Sequence, residues 1–271
     1  FRRVLFRSIL SPQAQRIAKN RGKIYFAAKE EKNRIQRIID SFADSPSSVD
    51  IQRARYFTES FRETEGQALS LRWAKALYHI AEKIDIIIDD DQLIVGRGGK
   101  KGKYGMIYPE LDGCFLRSFV QQAKNRVESP FEIAEEDIQI IEDEIASYWE
   151  GKTYYEDQAK SYPEDVLKLS YDPGDLFTSR YILNETSSMR SALQWVHDYK
   201  KGISKGFEAI RAEAQEKLDN LDEFDPRESV DKAEFVQGII IVSEAIILWA
   251  KRHGDKAGEL AAAEKDEKRR A

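Results

Sequence analysis

The chain has 271 residues, 41% of them hydrophobic and 34% charged, and its 43 Lys and Arg against 48 Asp and Glu leave a net charge of −5. That length supports a sizeable core and one or two domains, and the near balance of charge gives no electrostatic case for nucleic acid or an anionic membrane surface as a partner. The single cysteine, Cys114, excludes an intramolecular disulfide framework and fits a reducing compartment, while 12 Tyr, 13 Phe and 4 Trp argue for a packed core over disorder.

The opening FRRVLFRSIL lacks an initiator Met, a long apolar region and a small-residue cleavage site, so it does not read as a signal peptide. We expect residues 1–32 to be an N-terminal extension, open in part to a foreign origin. Helical periodicity runs from 12 to 42 through Ile17, Ile24, Ala28, Ile35, Ile38, Ile39 and Phe42. DSPSSVD at 44–50 reads as a linker that offers Ser48 or Asp50 as an N-cap. A helix follows from Ile51 and fades near Gly66. Another spans Leu69 to Lys83, with Leu71, Ala74, Leu77, Tyr78 and Ala81 on its apolar side.

At IDIIIDDDQLIVG (84–96) the period changes. Ile86–Ile88, the turn Asp89–Asp91 and Leu93–Val95 predict a β-hairpin. The three Asp do not fit a calcium loop, which needs carboxylates at alternate positions with a Gly and a distal Glu. GRGGKKGKYG (96–105) reads as a flexible basic loop, neither a P-loop nor a dinucleotide fingerprint. YPELDGC follows as irregular structure, and Cys114 reads as a structural thiol rather than a nucleophile.

Glu135 to Trp149 predicts an acidic amphipathic helix with Ile138, Ile141 and Ile145 inward, its first turn acidic as the helix dipole favours and its end marked by Gly151. A further helix and its exit are expected within 154–171, a turn at Asp172–Asp175, a helix over Lys205–Leu221, and one long helix from Val230 to the end. The apolar run Phe235–Ala250 is broken by Gln237 and by Ser243-Glu244. It falls short of the roughly 20 apolar residues a bilayer needs, so it reads as a buried helix and no membrane span is expected. AGELAAAEKDEKRRA carries no helix stop, so the chain reads as ending inside a helix. The fold class expected is mainly α with a short β-hairpin. His79 and His253 have no second ligand at useful spacing, so no metal site is expected.

The stretch richest in chemistry is NETSSMRSALQWVHDY, Asn184 to Tyr199. On a helix, Arg190, Gln194 and His197 share one face, with Leu193, Trp195 and Val196 between them. A guanidinium fork donates two parallel hydrogen bonds and suits a carboxylate, phosphate or sulfonate. The plainer alternative is a solvated polar face whose Arg points at water.

Four stretches together resemble the N-terminal region of the glycyl radical enzymes, the pyruvate formate-lyase-like family. They are ARYFTESFRETEG (54–66), RWAKALYHIAEKIDIIIDDDQLIVGR (72–97), VHDYKKGISKGFEAI (196–210) and IIIVSEAIILWAKRHGDKAGELA (239–261). The resemblance covers residue 33 to the C-terminus and implies the N-terminal helical part of that family's α/β barrel.

Within the family, SSMRSALQW, YGMIYPELDGC and SRYILNETSS look like the branch that splits the C–S bond of isethionate into acetaldehyde and sulfite. That likeness carries Arg190 and Gln194 over as substrate-binding residues for a small anionic sulfonate. It further implies a post-translational glycyl radical installed by a separate radical S-adenosylmethionine activase, with no cofactor bound directly. A homodimer at full length is implied, as is a cytoplasmic setting in an anaerobic bacterium, with microcompartment housing left open. The radical Cys, its Glu and the glycine loop are expected beyond residue 271, so the 271-residue chain is expected to be inactive alone.

Other reactions of the family stay open: diol or hydroxyproline dehydration, choline cleavage to trimethylamine, and formate C-acetyl transfer. So does a non-catalytic helical scaffold, which the even charge and amphipathic helices would suit.

Overall fold

The computed structural model describes residues 29–267 apart from 101, 112, 126–129, 154–155, 158–159, 161–162 and 168–197. The chain divides into two units, Phe1–Pro46 with Asp89–Leu93, and Ser47–Ile88 with Ile94–Ala271.

In the first unit, helix α1 (Lys29–Asp44) carries the expected periodicity. The part of that expectation over 12–28 lies outside the described residues. Arg34 donates to the Asp91 carbonyl at 2.9 Å, and Arg37 Nε donates to Asp91 Oδ2 at 2.8 Å. Asp91 holds φ at 60°, a left-handed conformation that Asp tolerates better than most residues. The acidic triplet is therefore a turn, as its chemistry predicts.

The second unit is built on α2 (Gln52–Glu63) and α3 (Leu69–Lys83). Their shared face buries Phe57, Phe61 and Ala76 with Trp149, Ile141 and Ile145. Phe57 stacks on Phe61 at 4.5 Å between ring centroids, and Trp73 meets Phe57 edge-on at 5.0 Å. Such pairs add about 0.5–1.5 kcal/mol each beyond the area they bury. The polar ends of the aromatic cluster are satisfied. Trp149 Nε1 donates to Thr58 Oγ1 at 2.8 Å, and Tyr148 OH donates to the Phe61 carbonyl at 3.1 Å.

The linker expected at 44–50 contains a strand. β1 (Ser48–Asp50) pairs in parallel with β4 (Tyr104–Met106), and Ser48 also bridges Glu132. The N-cap position of α2 is Ile51, with no side-chain cap. Asp50 still satisfies one free amide, accepting from Gln52 N–H at 2.8 Å.

The hairpin forms, but one strand farther along than expected. β2 (Ile86–Ile87) pairs antiparallel with β3 (Arg97–Gly98), not with Leu93–Val95. Leu93 and Ile94 are instead 75% and 90% exposed.

Helix α4 (Gly113–Gln122) continues into a 3-10 turn, Ala123–Asn125. The helix expected over 135–149 is present in three parts: α5 (Glu135–Ile140), a π-helical stretch (Ile141–Ala146) and α6 (Ser147–Trp149). Gly151, at φ 77°, follows it as expected. α7 (Glu164–Leu167) falls in the segment 154–171.

The helix expected over 205–221 is present, two residues shorter at each end. α8 (Tyr199–Lys205) ends at Gly206, whose φ of 77° breaks the run, and α9 (Phe207–Asp219) begins after it. Asn220 and Leu221 lie outside the helix. A π-helical stretch, Arg227–Lys232, leads into α10 (Ala233–Ala263).

α10 corrects one expectation, its burial, and is longer than its apolar run alone suggests. Joined to the π-helical stretch, Arg227–Ala263 is 37 residues and, by length and composition, long and apolar enough to cross a bilayer. It is also less buried than its sequence predicts. It packs on α3 and α9 and buries Val236, Gly238, Ser243, Ala245 and His253, yet Phe235 is 61% exposed.

Candidate functional site

Arg190, Gln194 and His197 fall within 168–197, outside the described residues. The structure does bound the stretch that carries them. Asp198 has φ −76° and ψ 73°, which is not helical, and its carboxylate accepts from Lys201 N–H at 3.0 Å. Asp198 is therefore the N-cap of α8. Tyr199, the last residue of that stretch, opens α8.

The glycine-rich segment 96–105 is tied down rather than loose, and four attachments hold it. Burial places Asp50 at 2% exposure, where its carboxylate accepts the backbone N–H groups of Gln52 and Lys100. That burial pushes the Asp50 carboxyl above its ordinary range, against the opposing pull of the two N–H donors and the Lys100 charge. Lys100 Nζ lies 3.4 Å from the Val49 carbonyl and 3.5 Å from Asp137 Oδ2.

Gly99 sits at φ 105°, and a Cβ there would meet Asp50 Oδ2 at 2.5 Å, so only glycine fits. Gly98 lies against the Trp249 ring, and Tyr104 OH donates to the Gly98 carbonyl. His253 Nδ1 lies 2.9 Å from the Trp249 carbonyl and Nε2 lies 3.2 Å from the Arg97 carbonyl. This buried histidine is thus a fastener between α10 and β3, not a metal ligand. Among the described residues no cluster of three or more His, Cys, Asp or Glu is placed to hold a metal.

A second fastener lies in the YPELDG segment. Arg53 grips Glu110 through two bonds, Nη2–Oε1 at 2.6 Å and Nη1–Oε2 at 3.2 Å. The pair is nearly dry, with side-chain exposures of 12% and 5%. The guanidinium also lies 4.0 Å from the Tyr108 ring centroid. Cys114 follows in the first turn of α4.

On the outer side of α2, Glu59 collects two cations and a histidine. His79 Nε2 is 3.1 Å from Oε2, Lys83 Nζ is 3.0 Å from the same oxygen, and Arg55 Nε is 3.3 Å from Oε1. Burial works to raise the Glu59 carboxyl, but the bonds from Lys83 and His79 outweigh it and hold the group below its ordinary range. His79 also borders an open cavity of ≈ 320 Å³ with Glu63, Lys75, Tyr78, Ile241 and Glu244. Its charges are of both signs, so it offers no preference for an anion. The His79 and Lys83 contacts were not legible in the sequence, because those residues lie 20 and 24 positions from Glu59 on a different helix, whereas Arg55 stands one turn from Glu59 on α2.

The described residues therefore supply a scaffold of fasteners. The residues expected to meet substrate belong to the stretch between α7 and α8.

Known proteins resemble this chain along nearly its whole length. The family model described as pyruvate formate lyase-like matches residues 28–271. A protein of Oleidesulfovibrio alaskensis named isethionate sulfite-lyase is 50% identical over 97% of this chain. One of the same name from Nitratidesulfovibrio vulgaris is 51% identical over 96%. This chain spans 32% of the length of each. Among solved structures, a glycyl radical enzyme from Archaeoglobus fulgidus superposes with a TM-score of 0.72 at 30% identity, over 88% of this chain and 29% of that one.

Proposed function

This chain belongs to the pyruvate formate lyase-like family, and from that premise we propose that it is the N-terminal part of a glycyl radical C–S lyase that cleaves isethionate to acetaldehyde and sulfite. The observation that carries the proposal is identity of 50% and 51%, across nearly the whole chain, to two proteins named isethionate sulfite-lyase. Reactions on other substrates within the family rest on no comparable likeness.

In this reading the radical cysteine, its glutamate and the glycine loop lie in sequence beyond residue 271. A separate radical S-adenosylmethionine activase installs the radical. When present, the radical would supply abstraction of a hydrogen atom from the hydroxyl-bearing carbon and return of one to the neighbouring carbon, which loses sulfite. The overall balance is simple: isethionate loses its C–S bond, the sulfur leaves as sulfite, and the two carbons leave as acetaldehyde.

What this chain contributes is binding. Arg190 offers a permanently charged planar fork and Gln194 an amide donor, which together hold a sulfonate in fixed orientation. A fixed cation in the pocket costs affinity for a neutral diol, because that substrate leaves the guanidinium desolvated and unpaired. Arg190 therefore favours an anionic substrate over a diol. The full-length protein acts as a homodimer on this small sulfonate.

The test is a substrate comparison with the activated full-length protein under anaerobic conditions. Isethionate should yield sulfite and acetaldehyde in equal amounts, and 1,2-propanediol should be turned over far more slowly. Dehydration of the diol with no sulfite from isethionate would overturn the reading.

A further inference from the structure

His253 is 4% exposed on α10, and both of its ring nitrogens face carbonyl oxygens. Nδ1 lies 2.9 Å from the Trp249 carbonyl, one turn back on the same helix, and Nε2 lies 3.2 Å from the Arg97 carbonyl of β3. A carbonyl only accepts. A neutral imidazole has a single N–H, so it donates to one of these oxygens and turns a lone pair on the other. The doubly protonated ring donates to both. We infer that the folded protein holds His253 as an imidazolium, and that this proton completes the tie between α10 and the glycine-rich segment 96–105.

Burial of a cation opposes this, because desolvation favours the neutral ring. Two features of the site work the other way. Both N–H groups find acceptors, and hydrogen bonds from a charged donor are stronger than neutral ones. The Trp249 ring lies 4.9 Å from the imidazole, centroid to centroid, within the range at which an indole attracts a cation. The charged groups around the ring are engaged with other partners. Arg97 turns its guanidinium to the Lys100 and Gly102 carbonyls, and Arg252 donates to the Ala81 carbonyl. Lys256 pairs with Glu259, and the Asp85 carboxylate before β2 accepts from Gln52. On α3 and α9, which pack along α10, His79 and Lys83 meet Glu59, Lys75 donates to Gln67, Glu82 is exposed, and Arg211 pairs with Glu244 of α10.

The tie is therefore complete at acid pH and weakens as pH rises. Loss of the second proton removes one of two bonds and sets a lone pair against a carbonyl. What it loosens is local. The Trp249 ring also lies against Gly98, and the Gly99 N–H donates to the Asp85 carbonyl at 2.8 Å. The start of the segment is thus pinned to α10 on one side and to the residue before β2 on the other.

The experiment is hydrogen–deuterium exchange of the full-length protein, read by mass spectrometry between about pH 5 and about pH 8 and corrected for the intrinsic exchange rate. Amides of 97–100 should be about tenfold better protected at the acid end, as loss of one charge-assisted bond implies. His253→Gln, which does not titrate, should flatten that dependence. Wild-type protection that does not change with pH would overturn the proposal. So would an equal pH dependence in His253→Gln, which assigns the effect to another group such as Asp50. Should the variant fail to fold, neutron diffraction from wild-type crystals at about pH 6 decides: a proton on each ring nitrogen is expected, and a proton on one alone would overturn the inference.

Discussion

At the scale of single residues, the second unit is held by polar fasteners whose partners are far apart in sequence. Arg53 and Glu110 are 57 positions apart, yet they form a two-bond ion pair in a nearly dry setting. Such a pair adds little over an apolar substitute, but breaking it strands a charge. Glu110→Ala should therefore lower the unfolding free energy of the full-length protein by about 3–5 kcal/mol, read from the denaturant midpoint. A loss under about 0.5 kcal/mol would mean that the pair is solvated in solution.

Glu59 makes the opposite kind of claim, about pH. Its carboxyl is held below an ordinary value of 4.5, so the folded protein binds this proton less readily than the unfolded chain. The stability it contributes is present above pH 4.5 and is lost as pH falls through the lowered folded value. Glu59→Gln should remove that part of the acid dependence, flattening the stability profile below pH 4.5 relative to wild type. Parallel profiles for the two proteins would refute the assignment.

At the scale of elements, long amphipathic runs were legible and short pairings were not. Leu69–Lys83 forms the helix its apolar spacing predicts, to the residue, because packing against α2 rewards the same face that the 3.6-residue period marks. The hairpin shows the limit. Leu93, Ile94 and Val95 have the apolar character of a strand but remain exposed, while Arg97 and Gly98 pair with Ile87 and Ile86. Strands of two residues carry no periodic signal.

What selects Gly98 is tertiary: the Trp249 ring occupies the place a Cβ would need, and the Asp85 carbonyl lies 3.2 Å from it. Gly98→Ala should cost about 1–3 kcal/mol by overpacking, measurable as a fall in thermal midpoint. A second substitution, Trp249→Leu, should recover part of the loss; a midpoint unmoved by Gly98→Ala would show that the contact yields freely. The same reasoning covers segment 96–105, where composition reads as looseness. Two of its glycines, Gly99 and Gly98, are instead where Asp50 and Trp249 approach the backbone closely.

At the scale of the whole molecule, the family was legible from four stretches in order, while the proposed anion pocket rests on a spacing pattern alone. Arg190 and Gln194 satisfy helical spacing with each other. Asp198 caps α8, which opens at Tyr199, a start the sequence hides because Asp is equally at home on a polar helix face and at an N-cap. Length matters as much: this chain spans 32% of the relatives it matches, and Arg190 and Gln194 lie outside the described residues.

The measurement that bears most directly on the anion pocket is the Michaelis constant for isethionate of the activated full-length enzyme, wild type against Arg190→Ala. A desolvated charge-assisted contact contributes about 1.5–3 kcal/mol, so KM should rise roughly tenfold to a hundredfold, with Arg190→Lys recovering only part because an ammonium cannot reproduce the fork. Unchanged KM and kcat in Arg190→Ala would contradict the sulfonate assignment and leave Arg190 a solvent-facing residue.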